Sequence, residues 1–60
     1  MKKGIVIYDI STLKLKDSIV EIIEEGATSY TVILLEKGSK KCLVNLGTVL
    51  TINKLNINLI

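Results

Sequence analysis

Ile, Val and Leu supply most of the apolar surface of this chain, in strand-length runs that a charged or polar residue always ends. β-Branched residues suit a pleated, half-buried surface better than a helix, because their side chains are stiff at the first torsion. A chain patterned this way is expected to be mainly β: a small barrel or a curled antiparallel sheet of about five short strands. Apolar residues fill 48% of the 60 positions, yet only Tyr8 and Tyr30 are aromatic, and His, Trp, Phe, Pro and Arg are all missing. Most groups that mark catalytic, metal or nucleic-acid sites are therefore missing too.

Length sharpens the problem. Residues 1–60 make one small domain, and a chain of this size buries only about 60% of the surface that its unfolded form exposes. Such scaffolds are usually reinforced by disulfides, a metal or association with another chain. Cys42 is the single cysteine and has no intrachain partner, and without histidine there is no Cys/His cluster for zinc. No metal or cofactor is expected, which leaves a protein partner or a homo-oligomer.

The lone thiol suits a reducing compartment. The N-terminal run Ile5-Val6-Ile7-Tyr8 ends at Asp9, too short for the apolar core of an export signal. No run approaches the roughly 18 consecutive apolar residues of a membrane span, so the positive mean hydropathy of +0.49 reflects strands. The expectation is a cytoplasmic protein with no membrane segment, and the Ile-, Lys- and Asn-rich composition suggests an AT-rich bacterial or phage genome. Eight lysines against six carboxylates give a net charge of +2, which demands neither nucleic acid nor an acidic membrane.

Along the chain, Gly4 to Ile10 reads as a first strand, apolar on both faces through Ile5-Val6-Ile7-Tyr8 and interrupted at Ser11-Thr12. Leu13-Lys14-Leu15-Lys16 alternates with period two, as a half-exposed extended segment does. Residues 17–25 admit two readings. As a short helix they offer Asp17 or Ser18 as N-cap, Glu21 completing a capping box, and Gly26 as C-cap, which would make the fold α+β. As a strand they offer β-branched residues at most central positions and a Glu24-Glu25-Gly26 turn into another apolar run, and the strand is favoured. Tyr30 to Glu36, the turn Lys37-Gly38-Ser39-Lys40 and the run Lys41 to Leu46 read as a hairpin. Thr48 to Ile52 gives a further strand, and the alternating tail Asn53 to Ile60 a last edge strand or closing turn. On the 30–36 strand, Tyr30, Val32 and Leu34 share one face and Thr31, Ile33 and Leu35 the other, and neither face is polar.

The Glu-Glu-Gly turn into Tyr30-Thr31-Val32-Ile33-Leu34, followed by the hairpin into Cys42-Leu43-Val44-Asn45-Leu46-Gly47, resembles the SH3-like small barrels, and among them the Tudor type, over residues 18–57. The resemblance lies in spacing rather than in a motif. The Tudor family binds methylated side chains in an aromatic cage, which takes several rings around a cation. Two tyrosines do not build one, so the resemblance implies a fold and no ligand.

Chemistry is sparse. Cys42 is the only candidate nucleophile and has no histidine base, while Lys41 points to the opposite strand face, so it reads as a buried structural cysteine. Glu24-Glu25 reads as a solvated turn, and the isolated glycines 4, 26, 38 and 47 form no phosphate loop. No catalytic residue is expected, and the chain is read as a non-enzymatic protein-interaction or accessory module that self-associates or docks on a larger protein. Tyr8, Tyr30, Ile33 and Leu35 are the expected contacts. The alternative is a small nucleic-acid-binding barrel that uses Lys14, Lys16, Lys37, Lys40 and Lys41 on phosphates, without arginine for base readout.

Overall fold

The computed structural model describes residues 2–9 and 13–60. Five antiparallel strands form one sheet: β1 (Lys2–Val6), β2 (Ile19–Glu25), β3 (Ser29–Glu36), β4 (Val49–Asn53) and β5 (Ile57–Leu59), in the order β4-β3-β2-β1-β5. A three-residue 3-10 turn, Lys54–Asn56, joins β4 to β5. The sheet curls into a half-barrel. Among the described residues no helix is long and apolar enough to cross a membrane.

The curl has a local cause in the pairing of β2 with β3. Val20 faces Leu34 and Ile22 faces Val32, but the register shifts between Ile19 and Val20 and again between Ile22 and Glu24. Leu35 of β3 and Ile23 of β2 are the extra residues at these two bulges. A bulge bends its strand and adds right-handed twist, so two of them in the central pair roll the sheet around one face.

That inner face is the core. Val6, Val20, Tyr30, Val32, Leu34, Ile52 and Ile57 project onto it from all five strands and are buried. The remaining space is filled from two long loops. Leu15 enters from the β1–β2 loop, and Cys42 and Val44 enter from the β3–β4 loop. The Leu43 N–H donates to the Leu13 carbonyl at 3.2 Å, which ties the two loops together over the core.

Within the segment 17–25 the favoured strand is present, running from Ile19 to Glu25, which rules out the α+β alternative with a helix at 17–25. Ser18, a helix cap in that alternative, instead extends the β1 ladder: its carbonyl accepts from the Val6 N–H at 2.9 Å. Two other expectations need correction. The run 41–46 is not a strand, and β3 pairs with β4 instead, Val32 opposite Leu50 and Tyr30 opposite Ile52. Cys42 and Val44 do alternate inward as strand residues would, but the backbone bonds of this segment go to Ser39, to Thr48 and to the other loop. Strand β1 runs from Lys2 to Val6 rather than from Gly4 onward, because β2 and β5 flank it only there. The expected strand end at Ile10 and the interruption at Ser11-Thr12 lie outside the described residues.

Gly47 takes a left-handed φ of 83° in the turn that delivers the chain to β4, and its N–H donates to the Leu34 carbonyl at 2.8 Å. A side chain there would be strained.

Because burial alternates along β3, truncating an inner residue is costly and truncating an exposed loop residue is not. Leu34→Ala should lose about 2–5 kcal/mol of stability, and Leu43→Ala, whose side chain is 71% exposed, should stay within about 0.5 kcal/mol of the wild type. Urea unfolding of the two variants checks this.

Candidate interaction surfaces

The register places the residues of the sheet's outer face. One row crosses four strands: Lys3 of β1 faces Glu21 of β2, Glu21 faces Ile33 of β3, and Ile33 faces Val49 of β4. A second row sets Ile5 between Ile19 and Asn58. Ile5, Ile19 and Ile33 are only partly covered, and Val49 is 57% exposed. An apolar band with an adjacent lysine and glutamate thus lies on the side away from the core.

Of the four expected contact residues, Ile33 belongs to this band, and Leu35 is the half-buried bulge residue beside it. Tyr8 lies beyond β1 and is exposed. Tyr30 turns inward, only 8% exposed, because it shares the Val32/Leu34 face. The alternation of the 30–36 run held both faces open, and packing selects this one. Ile5, Ile19 and Val49 are not among the contacts expected from the sequence, since only the strand register carries the parity of Ile33 across to them.

The expected phosphate-contacting lysines divide into two groups. Lys14, Lys16 and Lys41 line a single concavity of about 310 Å³ together with Asp9, Asp17, Gly38 and Ser39, whereas Lys37 and Lys40 are exposed outside it. The base of the concavity is closely packed. Gly38 sits so near the backbone of Lys16 and Asp17 that no Cβ would fit, and its N–H donates to the fully buried Ser18 hydroxyl at 3.0 Å. The Asp9 carboxylate accepts from the Lys16 N–H at 3.1 Å. Lys14 and Asp17 both hold left-handed backbone, with φ of 57° and 68°, a region that non-glycine residues seldom occupy.

At one end of the sheet, Glu25 binds two cations from opposite ends of the chain. Its Oε2 lies 2.7 Å from Lys54 Nζ and its Oε1 3.6 Å from Lys2 Nζ. The Lys54 ammonium also lies 5.2 Å from the centre of the Tyr30 ring, within range of the ring's negative face. The hydrogen bond and charge of Lys54, aided by Lys2, hold the Glu25 carboxyl below the usual glutamate value. Cys42 is buried, and its Sγ–H donates to the Val44 carbonyl at 3.7 Å.

Two predictions follow from these environments. A carboxylate whose native pKa is lowered stabilises the fold above its unfolded pKa and loses that contribution as pH falls through the native value. The urea midpoint of the wild type should therefore exceed that of Glu25→Gln at neutral pH, and the difference should vanish on acidification and shrink in high salt. The Cys42 thiol should react with an aromatic disulfide reagent only as fast as the protein opens, and at once in denaturant. A scan with protein-family models and searches of curated proteins and of solved structures gave no match, so function has to be argued from the surfaces of this chain itself.

Proposed function

We propose that the chain is a non-enzymatic protein-interaction module of the cytoplasm, and that the outer face of its sheet is the surface that meets another chain. The observation that carries this reading is the partly uncovered band Ile5, Ile19, Ile33 and Val49 on a sheet whose other face is already packed. The pairs Ile5–Ile19 and Ile33–Val49 flank Glu21, and apolar surface rimmed by polar residues in this way marks association sites. The strand order, the long first loop and the 3-10 turn before β5 support an SH3-like small barrel as its architecture.

Self-association is the form the band favours, because it carries charges of both signs. Lys3 and Glu21 are cross-strand neighbours, so a twofold axis passing between them would set Lys3 against Glu21 of the other copy and the reverse, the reciprocal contact of an isologous interface. A standard interface takes about 800 Å² from each partner, roughly one fifth of the 3921 Å² exposed here. The whole outer face would then be used, not one side chain.

A second reading, nucleic-acid binding through lysines, is supported by the convergence of Lys14, Lys16 and Lys41 on one concavity.

Sedimentation velocity at micromolar concentration tests the leading reading. The wild type should be dimeric or larger, Val49→Lys should weaken association at least about tenfold, and Leu43→Lys should leave it unchanged. A wild type that stays monomeric would contradict self-association, and docking on a larger protein would then be tested by loss of co-purification in Val49→Lys.

A further inference from the structure

We propose that the concavity between the β1–β2 loop and the turn after β3 binds a phosphate group, held by the ammonium groups of Lys14, Lys16 and Lys41. The site gives the lysine-based reading a location and is independent of the outer face.

Three observations converge on it. The first is charge. Three lysines from two separate loops line the same concavity, and among the described residues the carboxylate ion pairs engage Lys2 and Lys54, both through Glu25. Asp9 and Asp17 also line the site, but neither comes within 4.0 Å of its ammonium groups, and Asp9 is committed to the backbone N–H of Lys16. The lining therefore carries three cations against two carboxylates, and the cations are not spent on internal pairs.

The second observation is the backbone. Lys14 and Asp17, both lining residues, hold left-handed φ values. Non-glycine residues kept in that region concentrate at ligand clamps, where the surrounding structure forces them.

The third is rigidity. Gly38 packs directly on the Lys16 and Asp17 backbone and is held by the buried Ser18 hydroxyl. The two rims are thus fixed to each other before any ligand arrives, which lowers the entropy cost of binding. The volume of about 310 Å³ lies at the small end of ligand sites, which suits one or two phosphate groups. A phosphate monoester carries about −1.5 to −2 charge at neutral pH, and the lining, with three ammonium groups against two carboxylates, attracts it.

The test is a titration of the labelled full chain with inorganic pyrophosphate, followed by amide chemical shifts. Saturable shifts confined to residues 13–18 and 38–41 are expected. Asp9→Asn keeps an acceptor for the Lys16 N–H, and Asp17→Asn keeps a residue at ease in left-handed backbone. Each removes one repulsive charge and should tighten binding about three- to fivefold, the scale of a unit charge a few ångströms away in water. Unfolding does not mimic a gain in affinity. Replacing all three lysines with glutamine should abolish the effect. Shifts that fail to saturate, that spread equally to Lys2, Lys3 and Lys54, or that do not show tighter binding in Asp9→Asn would overturn the proposal. A short single-stranded DNA in place of pyrophosphate separates the sources: matching shifts identify a phosphodiester as a ligand, and saturation by pyrophosphate alone identifies a small phosphate ester.

Discussion

The structure depends on how one rolled sheet fills its inner face. Five strands contribute Val6, Val20, Tyr30, Val32, Leu34, Ile52 and Ile57, and the loops complete the packing with Leu15, Cys42 and Val44. A chain this short has little apolar burial to set against its entropy, so these loops are structural members. The Leu43–Leu13 backbone bond and the Ser18–Gly38 bond fasten them across the core. The same fastening brings Lys14, Lys16 and Lys41 together. The cationic concavity is thus a by-product of closing the core.

Rolling also decides what remains outside. A sheet that wraps one face must present the other, and here the outer face keeps Ile5, Ile19, Ile33 and Val49 beside Lys3 and Glu21. The ends of the sheet are treated differently. Glu25 and Lys54 close the edge of the core above Tyr30 with charge instead of apolar contact. The ammonium caps the face of a ring that is otherwise buried in the core.

Much of the fold was legible because β-branched runs and turn residues mark strands locally. Strands β2, β3 and β4 fall within a residue or two of the runs 17–25, Tyr30 to Glu36 and Thr48 to Ile52 that suggest them. The run 41–46 misled for a physical reason: Cys42 and Val44 bury with period two, and periodicity reports side-chain direction without saying whether the backbone has a ladder partner. The choice between the two faces of β3 was not legible, since an alternating run apolar on both sides has no sign until it is packed. The concavity was illegible as a site. Lys16 and Lys41 are far apart in sequence, and nothing in the residue type of Lys14 announces left-handed backbone.

The central claim is that the Tyr30, Val32 and Leu34 side chains face inward and that Ile33 and Val49 face solvent. Methyl relaxation by a soluble paramagnetic probe, at a concentration low enough to keep the chain monomeric, measures this directly. The account predicts strong relaxation of the Val49 methyls, intermediate relaxation of Ile33, and protection of Val32, Leu34 and Val44. Protection of Ile33 and Val49 together with exposure of Val32 and Leu34 would contradict it.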